Sequence, residues 1–199
     1  MNKKELLECI LNEFTIDGDI HKRYYHTLGV IEMALTLNRK LNLNLNEEQV
    51  FISAALHDVA KLMPKDEMEE ILQKEFCDLY SEIKDYPTIW HSFVGSYVAK
   101  TKYKIVDKEI LNAIKYHTTG KIEMTKLEKL IFVSDYTEKI TRNHKSMIET
   151  RKLAYNNLDD ALVKTLSDTI EYLKSENKGI YIKTLETYEY YLEKGKCDV

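Results

Sequence analysis

Apolar residues with helical spacing recur along almost the whole of this 199-residue chain. In the segment that begins near Lys22, one stripe runs through His26, Val30, Met33 and Leu37. Steps of three or four residues are the spacing of one face of an α-helix. Helix-breaking residues are scarce, since the chain contains only 6 Gly and 2 Pro. The pattern predicts an all-α fold, a bundle of about eight or nine helices.

Short polar or Gly- and Pro-containing stretches separate the predicted helices. The predicted spans are Lys3–Phe14, Lys22–Leu41, Glu47–Lys61, Lys65–Phe76, Ile89–Thr101, Asp107–Tyr116, Lys126–Ile140, Ser146–Ser175, within which a break is left open, and Thr184–Glu193. Asn46 followed by Gln49 has the pattern of an N-cap with its capping-box partner. No internal repeat or low-complexity linker divides the sequence, so residues 1–199 are predicted to form a single domain.

The charge balance of the chain argues against two classes of partner. The formal net charge is −4, and no basic cluster marks a surface for nucleic acid or for an anionic membrane. No stretch reaches the roughly 20 apolar residues of a transmembrane helix, and the first residues lack the apolar centre of a signal peptide. Three distant cysteines without a CxxC pattern predict a reduced, cytoplasmic protein. The sequence leaves open whether the chain forms a homodimer.

Five of the predicted helices carry an ionisable residue on the face that the apolar stripe marks as buried. These residues are His26, His57 with Asp58, His91, His117 and Asp135. Each lies near one end of its helix. Antiparallel packing of neighbouring helices would bring these ends to the same level of the bundle. Side chains on facing helices commonly form metal sites in bundles. A lone buried histidine usually finds a partner in the core, but this whole set would need a separate partner for every member. A metal centre satisfies them all.

The residue types in this cluster restrict its chemistry. Neutral imidazole and carboxylate are ordinary ligands of Fe, Mn and Zn, whereas the lack of a cysteine in the set argues against a structural zinc site. A nitrogen and oxygen site with open positions favours hydrolysis by a coordinated water, and two adjacent ions would clamp the attacking and leaving oxygens. Two other classes stay open on the residues alone, a non-catalytic nucleotide- or metal-sensing module and a helical interaction protein.

The order of these residues resembles that of a known enzyme family. His26, His57 with Asp58, and Asp135 match the signature of the HD-domain metal-dependent phosphohydrolases. The segments HKRYYHTLGV (21–30), AALHDVAK (54–61), WHSFVGSYVA (90–99) and the stretch over 106–138 are similar to the symmetrical bis(5'-nucleosyl)-tetraphosphatase branch. The resemblance implies an HD core over about 20–140, with C-terminal helices that complete a nucleotide site. It also implies cleavage of diadenosine tetraphosphate to two ADP by metal-bound water.

The resemblance further assigns the metal ligands. It implies that these are His26, His57, Asp58 and Asp135, with iron as the metal and Mn or Mg as alternatives. His26, Asp58 and Asp135 are also expected to contact the substrate. Two further histidines, His91 and His117, match positions that face the phosphates or hold a second metal ion, so a mononuclear and a binuclear centre both stay open.

The catalytic residues implied by the resemblance are Asp58, Lys61, His91 and His117. Lys61 follows Asp58 in the motif HD-x-x-K and resembles a cation that offsets polyphosphate charge. Thr118 follows His117 in the family pattern HT and is expected to contact a phosphate.

The match to the family loosens after Asp135. The segment SDYTEKITR (134–142) lacks the usual proline and has one extra residue before Arg142, which the resemblance places at a substrate phosphate. The later segment NKGIYIKTLETYEYY (177–191) resembles the part of the family that surrounds the nucleotide base. Its expected contacts are Lys178, Gly179, Ile180, Tyr181 and Ile182. Hydrolysis of another nucleotide or phosphate ester therefore remains the nearest alternative function.

Overall fold

The computed structural model describes residues 2–197, with side chains through residue 195. The described helices are α1 (Lys3–Glu13), α2 (Lys22–Lys40), α3 (Glu47–Leu56), α4 (Lys65–Glu75), α5 (Cys77–Ile83), α6 (Trp90–Thr101), α7 (Lys108–Tyr116), α8 (Lys126–Thr137), α9 (Lys145–Ala154), α10 (Leu158–Ser175) and α11 (Ile182–Cys197). A short 3₁₀ helix spans Pro87–Ile89, and an antiparallel hairpin pairs β1 (Thr15–Ile16) with β2 (Asp19–Ile20). The predicted all-α class is confirmed.

The described part of the chain has eleven α-helices where eight or nine were predicted, because of two local features. The predicted helix over 146–175 is split, since the Asn157 side chain accepts hydrogen bonds from the backbone of Asp159 and Asp160 and begins a new helix there. The seven-residue helix α5 was not predicted. It follows Phe76 directly and has no side-chain N-cap, so its start has no sequence signal.

Helix α3 ends earlier than predicted, at Leu56 and not at Lys61. Beyond it the backbone changes to tighter bonds between residues three apart. The Val59 N–H donates to the Leu56 carbonyl at 3.1 Å, and the Lys61 N–H donates to the Asp58 carbonyl at 2.8 Å. His57 and Asp58 are therefore the first two residues after α3, at its C-terminal end.

The main core forms where α2 packs against α3 and α8, and where α7 packs against α3, α6 and α8. Leu37, Leu56, Ile114 and Leu127 are among its fully buried side chains. Burial of such a side chain contributes roughly 1.5–3 kcal/mol. A second cluster, which includes Trp90, lies between α4, α5 and α6. Among residues 2–197, no helix is long and apolar enough to cross a membrane.

Candidate metal centre

The six predicted metal-site side chains converge where the ends of five helices meet. They come from the second turn of α2, the turn after α3, the start of α6, the residue after α7 and the last turns of α8. His26, His57, Asp58, His91 and His117 are at most 3% exposed, and the Asp135 side chain is 22% exposed. Such burial is costly for polar groups, so each needs close partners.

The first group of candidate ligands consists of His26, His57 and Asp58, whose ligand atoms lie within 4.8 Å of one another. The two Nε2 atoms of His26 and His57 are 3.4 Å apart. Asp58 Oδ2 lies 3.6 Å from His57 Nε2 and 3.8 Å from His26 Nε2. Asp135 Oδ1 lies 2.9 Å from the same His26 nitrogen. Of the four expected primary ligands, His26, His57 and Asp58 therefore surround one point, and Asp135 adjoins them through His26.

The second group consists of Asp58, His91 and His117, again with ligand atoms within 4.8 Å of one another. Asp58 Oδ1 lies 3.4 Å from His91 Nε2 and 3.6 Å from His117 Nε2. The two histidine nitrogens are 3.3 Å apart. Asp58 thus presents one carboxylate oxygen to each group, which is the arrangement needed to hold two adjacent cations. The donor set of imidazole and carboxylate fits Fe, Mn or Zn.

Two of the histidines are oriented by the ends of their own helices. His57 Nδ1 donates to the Ala54 carbonyl at 2.7 Å, and His117 Nδ1 donates to the Ile114 carbonyl at 2.7 Å. These carbonyls belong to the last turns of α3 and α7, where backbone acceptors lack partners within the helix. Because Nδ1 carries the proton in this arrangement, Nε2 keeps its lone pair for the site.

Glu138 orients the third histidine and was not predicted from the sequence. It is fully buried at the end of α8, and His26 Nδ1 donates to its Oε1 at 3.2 Å. The carboxylate also accepts from the backbone N–H groups of Ile140 and Thr141 at 2.5 and 2.9 Å. Gly29 makes this approach possible, because a Cβ atom there would lie 2.2 Å from Glu138 Oε2. Glu138 is the residue after the last residue of α8 and has a non-helical backbone, so helical spacing did not mark it.

Burial and neighbouring charges set the protonation states of the group. Burial lowers the pKa of His57 to about 4 and that of His91 well below its usual value, so both imidazoles are neutral near pH 7. Burial acts to raise the pKa of Asp58, but the neighbouring histidines outweigh it and hold the pKa well below its usual range. Burial also acts to raise the pKa of Asp135, but the Arg142 guanidinium outweighs it and holds this pKa well below its usual range. The neutral imidazoles of His57 and His91 and the ionised carboxylates are in the states required for metal binding, whereas Asp135 and Glu138 raise the pKa of His26 against burial.

Two arginines pair with the carboxylates of the centre. Arg142 Nη2 donates to Asp135 Oδ1 at 2.9 Å, despite the extra residue that precedes it in the sequence. Arg23 Nη1 donates to Asp58 Oδ2 at 2.6 Å, a contact that was not predicted. Both arginines, together with Lys22 and His26, line a cavity of about 220 Å³. The positively charged cavity is suited to an anion.

Lys61 and Thr118, the expected phosphate contacts, lie beside the second group. Lys61 Nζ is 3.1 Å from His91 Nε2, and Thr118 Oγ1 is 3.1 Å from His117 Nε2. Burial lowers the pKa of Lys61, against the attraction of Asp58. Hydrogen-bond donors therefore lie on both sides of the centre. The two arginines are near the first group, and Lys61 and Thr118 are near the second.

Residues of the predicted nucleotide segment contact Tyr86, Glu82 and Tyr172, which belong to neither group. Tyr181 is buried against Tyr86, and its hydroxyl donates to Glu82 Oε2 at 3.0 Å. Lys178 Nζ donates to the Tyr172 hydroxyl at 3.2 Å. Of the remaining residues, Gly179 is exposed near Tyr86, Ile180 is half-buried and Ile182 is 56% exposed.

The chain is similar in sequence to known proteins. Residues 23–140 match the HD domain family. The chain is 35% identical over 191 residues to "Bis(5'-nucleosyl)-tetraphosphatase, symmetrical" of Bacillus subtilis, covering 96% of this chain and 97% of that protein. It is 32% identical to the protein of the same name from Halalkalibacterium halodurans, over 98% and 100% of the two chains.

A solved structure supports the same relationship. It is described as a predicted HD superfamily hydrolase involved in NAD metabolism, from Clostridium acetobutylicum. The two folds agree with a TM-score of 0.88 at 30% sequence identity, and the match covers 98% of each chain. The chain therefore belongs to the HD-domain family, in the branch that contains the symmetrical bis(5'-nucleosyl)-tetraphosphatases.

Proposed function

We propose that this chain hydrolyses dinucleoside tetraphosphates symmetrically and converts diadenosine tetraphosphate and water to two molecules of ADP. The observation that carries the proposal is the position of Asp58, whose two carboxylate oxygens face different pairs of histidines. Such a shared carboxylate suits a metal-dependent phosphohydrolase. The name of the relatives that match nearly the whole chain supports the substrate class.

We assign the metal ligands from their convergence in the fold. The primary ligands are His26, His57, Asp58 and Asp135, and a second ion would be held by Asp58 with His91 and His117. A transition-metal ion bound there would lower the pKa of a coordinated water and offset charge on phosphate oxygens. We propose iron for the primary group, with Mn and Mg as the alternatives that metal analysis separates.

The cations around the centre determine how a polyphosphate would lie. Arg23 and Arg142 offer planar sets of N–H donors that match phosphate oxygens. On the other side, Lys61 and Thr118 offer an ammonium and a hydroxyl beside His91. A tetraphosphate that spans the centre would thus meet positive charge on both halves. Charge placed in advance where it develops in the transition state is the main contribution of such sites.

The reaction itself needs few further groups. Water attacks one of the two central phosphorus atoms, the bond from that phosphorus to the bridging oxygen breaks, and each product retains two phosphates. Asp58 orients the nucleophile, the Lys61 ammonium offsets charge on the non-bridging oxygens, and His91 and His117 would contribute by holding the second ion. Contacts to base and sugar from Lys178–Ile182 stay predictions, as do a single domain over residues 1–199, a cytoplasmic location, and the lack of nucleic-acid or membrane partners.

The proposal is tested by anaerobic purification, metal quantification and chromatography of the products from diadenosine tetraphosphate. Stoichiometric metal and ADP as the only product are expected. AMP together with ATP would contradict symmetrical cleavage. Activity only on nucleoside monophosphates or other phosphate esters would assign the chain to a different HD-domain hydrolase. A protein without stoichiometric metal and without hydrolysis would point to an interaction or sensing module.

A further inference from the structure

The turn that follows α8 carries two side chains that reach the candidate metal centre. Glu138 begins this turn and accepts a hydrogen bond from His26, and Arg142 lies at its other end and pairs with Asp135. Arg142 also lines the cavity of about 220 Å³ beside His26. Residues 138–144 contain neither proline nor glycine, so no residue type within the turn fixes its backbone torsion angles. The shape of the turn must therefore come from side-chain contacts.

Arg151, in the last turn of α9, binds the backbone of this turn. Its Nε donates to the Thr137 carbonyl at 2.5 Å. Its Nη2 donates to two further carbonyls, that of Glu138 at 2.6 Å and that of Arg142 at 2.5 Å. In the described part of the chain, all hydrogen bonds of this guanidinium go to backbone carbonyls. Because one NH₂ group bonds both Glu138 and Arg142, it holds the two ends of the turn together.

The position of Arg151 also suits the end of α8. Thr137 is the last residue of that helix and Glu138 follows it, and carbonyls at a helix C-terminus lack partners within the helix. The helix dipole favours a cation at the same place. A guanidinium presents Nε and Nη2 as a rigid, planar pair of donors, which a lysine ammonium cannot reproduce. Arg151 therefore satisfies acceptors that α8 leaves free and fixes the path of the chain beyond them.

We propose that Arg151 is a positioning residue for the metal centre and for its phosphate side. By tying Glu138 to Arg142, it keeps the Glu138 carboxylate against His26 and the Arg142 guanidinium at the cavity. Arg151 does not itself line that cavity, so it acts through the other two residues. The inference rests on the proposed function for the phosphate contact of Arg142, but it makes a separate claim about what shapes the turn.

Binding of pyrophosphate to the Mn²⁺-saturated protein, and competition for Mn²⁺ with a chelator, test the proposal without hydrolysis. Arg151→Ala is expected to raise the Kd of pyrophosphate about tenfold and that of Mn²⁺ at least about threefold, because Arg142 and Glu138 lose their fixed positions. Lys152→Ala is the matched control, since Lys152 is the next residue of α9, is exposed and carries the same charge. It should leave both Kd values unchanged.

Two further measurements separate positioning from a general loss of stability. Guanidinium chloride at millimolar concentration should lower the pyrophosphate Kd of Arg151→Ala at least about threefold, because the free ion can occupy the vacated place between the carbonyls. Sodium chloride at the same concentration should not lower it. In an Arg142→Ala background, Arg151→Ala should change the pyrophosphate Kd by less than about twofold, since the guanidinium that it positions is already absent.

Unchanged Kd values for Mn²⁺ and pyrophosphate in Arg151→Ala would overturn the proposal. Losses that guanidinium does not reverse and that add fully to those of Arg142→Ala would also overturn it, since Arg151 would then contribute to stability alone.

The same variant distinguishes this proposal from the proposed function. If the wild-type protein hydrolyses diadenosine tetraphosphate and Arg151→Ala does so with an unchanged KM, the function stands and the positioning role is wrong. If the wild-type protein does not hydrolyse it, but Arg151→Ala weakens pyrophosphate binding and guanidinium restores it, the positioning role stands and the function is wrong.

Discussion

Gly29→Ala is expected to weaken metal binding although Gly29 touches no candidate ligand directly. A Cβ atom at this position would lie 2.2 Å from Glu138 Oε2 and 2.9 Å from Glu138 Cδ. These distances are roughly 1 Å short of an ordinary van der Waals contact. Glu138 is held by the backbone of Ile140 and Thr141, so it cannot yield without losing hydrogen bonds.

The size of the effect follows from the contact between Glu138 and His26. A displacement of about 1 Å would break the 3.2 Å bond from His26 Nδ1 to Glu138 Oε1, which holds the ring with Nε2 toward the site. Loss of such a partner behind a metal ligand typically costs 10- to 100-fold in metal affinity, or about 1.4–2.8 kcal/mol. The added volume should also lower the free energy of unfolding by about 1–3 kcal/mol.

The assay is competition for metal with a chelator, together with thermal unfolding of the metal-free protein. Gly95→Ala is the matched control, since Gly95 also lies in a helix but a Cβ there would meet Ile114 Cγ2 at an ordinary 3.5 Å. That variant should gain about 0.5–1 kcal/mol of stability and keep its metal affinity. Glu138→Gln removes the charge without adding volume and should also weaken metal binding. Wild-type metal affinity in both Gly29→Ala and Glu138→Gln would refute the reasoning.

Four further outcomes follow from the same geometry. Asp58→Asn replaces a carboxylate that serves both groups with an amide that has one acceptor oxygen, so metal analysis and product assays should show lost metal and at least about a 100-fold loss of turnover. Arg142→Lys should raise the KM for the dinucleotide about tenfold in steady-state kinetics, because a lysine cannot present two parallel donors. Leu37→Ala should lower the free energy of unfolding in urea by about 2–5 kcal/mol without changing metal content, because Leu37 is fully buried in the core. Removal of metal by chelation should lower the Tm, and added metal should restore it, since the ion binds the folded state only; an unchanged Tm would mean that the folded chain binds no metal.

The positions of the metal-site residues were accessible from the sequence because burial follows helical periodicity. His26 and His91 interrupt apolar stripes, and the structure buries both of them in the predicted helices. His117 follows the last residue of its helix as expected. The roles of these residues as ligands stay predictions, but their convergence was derivable from which faces and which ends of helices must meet.

Other features depend on turns that carry no periodic signal. The change to tight turns after Leu56 moves Lys61 out of the predicted helix, and no residue type there marks the change. Glu138 and Arg23 lie outside the apolar stripes, so their contacts with His26 and Asp58 arise only from the tertiary fold. The turn after α8 likewise brings Arg142 to Asp135 despite the inserted residue, a compensation that spacing alone does not predict.

The central claim is that water attacks a central phosphorus of a dinucleoside tetraphosphate at the centre around Asp58. Hydrolysis of diadenosine tetraphosphate in water enriched in ¹⁸O, followed by mass spectrometry of the products, tests it most directly. The account predicts ADP as the only product, with one of the two molecules from each turnover carrying a single ¹⁸O on its terminal phosphate. Labelled AMP would contradict it, because water would then have attacked a phosphorus bonded to a nucleoside. Labelled ATP would also contradict it, because the bond broken would then be the outer anhydride that releases AMP.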